Sequence, residues 1–146
     1  MHVHVVAVGK IKERGLREVI DDYAKRIGRY ADFHELELKD GSEADVEERF
    51  RKAIPARSHV CALEVLGKPM ASHELAQLVG RAEDTSVMHL VFLIGGAYGL
   101  PPATSRAAAT QLSLSKLTLP HRLARLLLVE QIYRSFTLLR GEPYSH

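Results

Sequence analysis

The stretch Val87 to Ile94 constrains the fold more than any other, because its Leu90-Val91-Phe92-Leu93-Ile94 is apolar without interruption and then breaks into Gly95-Gly96. A half-exposed strand alternates apolar and polar side chains. An unbroken run suits a strand covered on both faces, as in a parallel sheet with helices on either side. It is also far shorter than the roughly 20 residues that a membrane-spanning helix needs. His2 to Gly9, Phe33 to Leu38 and His59 to Leu66 read as further strands, and Leu112, Leu114, Leu117 and Leu119 as a fifth whose alternation slips near Ser115. Between them, Leu16, Val19, Ile20, Tyr23 and Ile27 form one face of an amphipathic helix. A turn at Asp40-Gly41-Ser42 precedes a second helix marked by Val46, Phe50, Ala53 and Ile54 and ended by Pro55. Gly67-Lys68-Pro69 reads as a connection to a third helix through Leu75, Leu78, Val79 and Ala82, with Ser72 as its expected N-cap, and a short alanine-rich helix runs to Thr110. Strands and helices that alternate from end to end are the signature of an α/β domain with a mainly parallel sheet flanked by helices.

The last helix is expected from about His121 to Arg140, with Gly141 as its stop. Leu126, Leu127, Leu128, Val129, Ile132, Tyr133 and Phe136 cover nearly its whole circumference. A helix apolar all round must be buried all round, and one sheet covers only one side of it, so a second copy of the chain is expected against the other. At 146 residues, 46% hydrophobic and 26% charged, the sequence fits one soluble domain over 1–146, large enough to build a core without disulfides or structural metal. Met1-His2-Val3-His4 lacks the features of a signal peptide, so a cytoplasmic location is expected.

Net charge is +2, too small to announce a nucleic-acid binder, but its distribution is uneven. Residues 1–84 carry 14 Lys and Arg against 16 Asp and Glu, and residues 85–146 carry 6 against 2, so the carboxyl-terminal part is the one that favours an anionic ligand. Cys61 is the single cysteine, set in apolar Val60-Cys61-Ala62-Leu63, and reads as core filling. None of the eight histidines shows HExxH or another ligand spacing, so no metal is expected. Gly95, Gly96 and Gly99 leave a strand end free of side chains at the edge where α/β sheets bind ligands. Their GGxxG spacing is not that of a dinucleotide fingerprint, and taken alone the loop reads as a tight strand-to-helix turn before it reads as a ligand site. Ser113 and Ser115 read as strand hydroxyls bonded to backbone. Glu130 and Arg134, four apart on the last helix, form either a structural ion pair or part of a ligand site.

Taken in order, Leu63-Glu64 with Gly67-Lys68, Phe92-Leu93-Ile94-Gly95-Gly96 with Gly99-Leu100, the run Ser113 to His121, Glu130-Gln131-Ile132-Tyr133-Arg134 and Gly141-Glu142-Pro143-Tyr144 closely resemble the bacterial ribosomal RNA large subunit methyltransferase H family. Val6-Ala7-Val8-Gly9-Lys10 fits as well, so the likeness spans essentially the whole chain. The resemblance implies an S-adenosylmethionine-dependent enzyme of the SPOUT class, a homodimer with a carboxyl-terminal trefoil knot, that methylates N3 of a pseudouridine in 23S rRNA of the ribosome. It places the cofactor against Leu63, Gly95 and the segment Leu114, Ser115, Lys116, Leu117, Thr118 and Leu119, and makes Arg134 and Tyr144 catalytic candidates. The family's usual Pro-Tyr-His ending is here Pro143-Tyr144-Ser145-His146, so either His146 takes over as candidate base from one residue later or that histidine is dispensable. A methyltransferase of the same class acting on transfer RNA, a catalytically silent ribosome-binding protein and a dinucleotide-dependent oxidoreductase are the alternatives.

Overall fold

The computed structural model describes residues 1–144. Its elements alternate as expected: β1 (His2–Val8), α1 (Arg14–Ile27), β2 (Asp32–Leu38), α2 (Glu43–Ala53), β3 (Ser58–Pro69), α3 (Ser72–Asp84), β4 (His89–Ile94), α4 (Pro102–Ala107), β5 (Thr110–Ser113) and α5 (His121–Arg140). The strands form one sheet in the order β2-β1-β4-β3-β5, and every neighbouring pair is parallel. β4 lies in the middle, which is why its side chains from Leu90 to Ile94 are buried on both faces.

Each face has its own apolar core. Val3, Val5, Ala7, Leu90, Phe92 and Ile94 meet α1, α3 and α5 through Ile20, Ile27, Leu75, Val79, Leu128, Ile132 and Phe136. Val6, Val8, Val91 and Leu93 point the other way and meet Val46 and Phe50 of α2 and Leu100 and Ala108 around α4. Cys61 is completely buried in the first core, and desolvation pushes its thiol up to about 12. On the second face, where the strands begin, the rings of His2, His4, His34 and His89 stack at centroid separations of 4.7 to 6.2 Å.

Three local expectations need correction. Ser72 is the first residue of α3 and not its cap: Ala71 occupies that position, its N–H bonded to Oε1 of Glu74 at 2.8 Å, while Ser72 spends its hydroxyl on Gln131 of α5. β3 does not end at Leu66. Residues 64–67 bulge out between two pairings with Leu112, and the strand resumes at Lys68 and Pro69, so Gly67 belongs to the crossing itself, where a Cβ would lie 2.8 Å from the Gln111 backbone. β5 stops at Ser113, and α4 at Ala107, because Thr110 is already paired with Cys61.

Helix α5 matches its expected bounds, and within one chain one side of it is left open. Leu123, Leu127 and Leu138 are 42, 41 and 51% exposed. With Glu130 and Arg134 they recur at spacings of three and four, which places all five on one strip of the helix. No helix among the described residues is long and apolar enough to cross a membrane.

Candidate active site

Parallel strands deliver their carboxyl ends to one edge of the sheet, and here three of those ends lead into loops that face each other. The β3 bulge, the glycine loop after β4 and the segment after β5 enclose a cleft of about 160 Å³, floored by Leu112 and closed on one side by His121 and Ala124 at the start of α5. Leu63, Leu100, Leu114, Leu117 and Leu119 give it apolar walls, and Gly95, Gly96 and Gly99 contribute bare backbone. The glycine loop folds tightly on itself: the Gly99 N–H bonds the Gly96 carbonyl at 3.0 Å, and Gly99 takes a φ of 79° that side-chain-bearing residues rarely adopt. A Cβ on Gly95 would sit 2.3 Å from the Gly99 carbonyl carbon. Glycine is therefore required at 95 by the loop's own closure before any ligand is considered.

Of the residues assigned to the cofactor, Leu63, Gly95, Leu114, Ser115, Leu117 and Leu119 line this cleft, whereas Lys116 and Thr118 are exposed and absent from its wall. The serine hydroxyls bond backbone as expected, Ser113 Oγ donating to the Ser115 carbonyl at 3.0 Å and Ser115 Oγ accepting the Leu117 N–H at 2.9 Å. That pair of bonds shapes the segment into a compact turn.

The catalytic candidates gather elsewhere. Arg134 Nη2 bonds Glu130 Oε2 at 2.9 Å, the Tyr144 hydroxyl donates to the same Glu130 oxygen at 2.8 Å, and the Arg134 guanidinium lies 4.7 Å from the Tyr144 ring centroid. Tyr144 also packs edge-on against Tyr133 at 4.8 Å. Desolvation, together with hydrogen bonds to Tyr23 and Glu130, pushes its phenol well above the usual range, so at neutral pH it is a donor and not a base. The tail is thus docked on the helix as far as Tyr144 and is not a free extension. His146, the candidate base, lies outside the described residues. Ten residues of helix separate Ala124 from Arg134, about 15 Å of rise, so the cleft and the Arg134 cluster of one chain do not meet.

Sequence reasoning missed the most buried charge in the molecule. Arg125 is fully buried, and its Nη1 bonds Glu35 Oε2 at 2.9 Å and also Glu37. Its Nη2 donates to the Gly9 carbonyl at 2.9 Å and to His121 Nε2 at 2.7 Å. Arg17 of α1 completes the neutralisation by pairing with Glu35 and Glu37. Burial opposes ionisation of Glu37, yet the hydrogen bonds from Arg125 and the Ile11 N–H hold its carboxyl below the ordinary value. A signal was available: Glu35 and Glu37 alternate onto the inward face of a strand, and Arg125 precedes Leu128, Val129 and Ile132 by three, four and seven, on the apolar face of its helix. Among the described residues no group of three His, Cys, Asp or Glu side chains is placed to hold a metal ion.

The comparisons fit this picture. The family model described as "Predicted SPOUT methyltransferase" matches residues 1–146. A protein of Sorangium cellulosum strain So ce56 named ribosomal RNA large subunit methyltransferase H is 49% identical over 146 residues, covering all of both chains. A protein of the same name from Geotalea daltonii is 40% identical over 153 residues, again with full coverage of both. In three dimensions the fold is similar to the crystal structure of a probable methyltransferase from Bordetella pertussis Tohama I, with a TM-score of 0.55 over 91% of this chain and 95% of that one, at 15% identity.

Proposed function

The chain belongs to the ribosomal RNA large subunit methyltransferase H family of SPOUT methyltransferases, and from that premise we propose that it transfers a methyl group from S-adenosylmethionine to N3 of a pseudouridine in 23S rRNA. The observation that carries the reading is the cleft, whose wall gathers six of the eight residues assigned to the cofactor. Its donor set suits such a ligand: exposed glycine backbone for the hydrogen-bonding edge of an adenine, and leucines to keep the site dry. The cofactor supplies an electrophilic methyl on a sulfonium. To accept that methyl, the pseudouridine N3 would have to give up its imide proton to a base.

The residues of the chain then have distinct tasks. Leu63, Leu114 and Leu119 exclude water from the cleft. Arg134 offers a guanidinium to the oxygens that carry charge once N3 is deprotonated, and Tyr144, its hydroxyl held by Glu130, offers a ring face to the base. His146 remains the candidate proton acceptor of this reading, worth about 10²–10⁴-fold if it acts as general base.

The separation of cleft and Arg134 within one chain supports the homodimer as the working unit. Two α5 helices that pair antiparallel through Leu123, Leu127 and Leu138 bring Arg134 of one protomer toward the amino-terminal half of the other's α5, the end that closes the other cleft. The knot expected for this class belongs to the same reading. With a net charge of only +2 the chain can make few phosphate contacts, so the assembled ribosome is the preferred substrate over naked RNA. Mass-spectrometric mapping of methylated pseudouridine in rRNA from cells with and without the gene tests the reading. The modification is expected to vanish with the gene and to return with the wild-type copy.

A further inference from the structure

Resting on that cofactor reading, we propose that Arg125 locks His121 into the tautomer protonated on Nδ1 and bare on Nε2, and that His121 thereby acts as a positioning residue, clamping the Gly95 carbonyl in the wall of the cleft. The tautomer follows from the partners. Arg125 lies 2.7 Å from Nε2, and a guanidinium only donates, so Nε2 must be the acceptor. The Gly95 carbonyl lies 3.2 Å from Nδ1 and only accepts, so Nδ1 must carry the hydrogen. A neutral imidazole has one such hydrogen, and both contacts assign it to the same nitrogen.

The arginine has no freedom to reverse this. Its two Nη nitrogens are committed to Glu35, Glu37, the Gly9 carbonyl and His121 on a side chain with no exposed surface. The charged groups facing the ring are Arg125 from its own helix and Glu37 from β2, while the β4 loop presents the Gly95 carbonyl. Burial and then Arg125 disfavour the imidazolium, against the Gly95 bond and Glu37, and the balance lowers the proton affinity of His121. Clamping has a purpose here. Gly95 has no side chain to anchor it, and it begins the loop whose backbone the ligand would meet. The hydrogen bond from His121 fixes the orientation of that first peptide.

Two measurements test this independently. Long-range proton–nitrogen correlation spectra of the wild-type protein at pH 7.5 report which imidazole nitrogen is protonated. Protonated Nδ1 with bare Nε2 is expected at His121, and the opposite pattern overturns the proposal. Calorimetric titration with S-adenosylmethionine then compares variants. His121→Ala is expected to bind about tenfold more weakly, the loss of one hydrogen bond. His121→Asn places an amide donor near the position of Nδ1 and is expected to restore most of the affinity, whereas His121→Gln, with its donor one bond further out, behaves like Ala. Folded His121→Ala with wild-type affinity, or equal loss in Asn and Ala, would refute the clamp. Wild-type protein that binds no S-adenosylmethionine would sink the cofactor reading and the positioning role together, leaving the tautomer to be decided by the spectra.

Discussion

Helix α5 carries two arginine clusters of opposite character. Arg125, fully buried, is held by two carboxylates from β2 and by the Gly9 carbonyl; Arg134, 24% exposed and on the strip with Leu123, Leu127 and Leu138, is paired with Glu130 one turn away. The first joins elements far apart in sequence, and its two carboxylates are left with Arg17 alone as counter-charge if it leaves. The second is local to one helix turn and its bound tail, so it can exchange partners at modest cost. A fixed cation suits a scaffold beneath a cleft, and an exchangeable one suits a group that must engage a substrate and release it.

Removing each arginine puts the contrast to its most severe test. Arg125→Met leaves Glu35 and Glu37 to share Arg17 in a mostly buried site and is expected to cost about 3 kcal/mol in urea unfolding, the low end for a broken buried pair. Arg134→Met is expected to cost about 1 kcal/mol or less, as for ion pairs near the surface. Equal losses would dissolve the distinction. In turnover the order reverses: Arg134→Ala lowers single-turnover methylation by about 10²-fold, the usual loss for one donor to developing charge, while the fold persists. Full activity in that variant would remove Arg134 from the chemistry.

The Arg134 strip gives a sharper test at smaller energy. Leu127→Asp puts a charge on the strip without touching the buried face, so sedimentation should shift from a dimer to the 16.3 kDa monomer, and activity should fall with it. A dimer that survives this change pairs through another surface. The least effect comes from imidazoles that have no arginine-like anchor at all. Burial, together with the neighbouring His34, His89 and His2, lowers His4 to about 4. Its unfolded value is near 6.5, so the unfolded chain binds the extra proton first. Stability is complete above about pH 6.5 and declines as pH falls toward 4, and His4→Phe should flatten part of that decline in acid unfolding curves.

Much of the fold was legible because its strands and helices keep their own periods. The apolar run of β4 announced a buried central strand, and Gly141, at a φ of 64°, marked the end of α5 to the residue. What escaped were features created by approach between distant segments. Gly67 looked like a connector, yet its reason is the Gln111 backbone that passes against it, and Ser72 was drawn from capping by Gln131, 59 positions away. The apolar walls of the candidate cleft were legible through the family likeness, but Lys116 and Thr118 were carried into it by their neighbours and point outward. Arg125 escaped because local reasoning treats a lone charge in a helix as solvated. Only the pairing of β2 with β1 and the packing of α1 and α5 bring Glu35, Glu37 and two arginines together.

The buried thiol of Cys61 has a use beyond packing. It is the chain's single cysteine, placed where β3 lies between β4 and β5, and at neutral pH almost none of it is the reactive thiolate. A maleimide or disulfide reagent therefore reaches it only when the sheet itself comes apart. Labelling kinetics at this atom become a clock for opening of the core around the central strands. Slowing of that clock by S-adenosylmethionine or by self-association would report, through one native atom, how far each event stiffens the sheet.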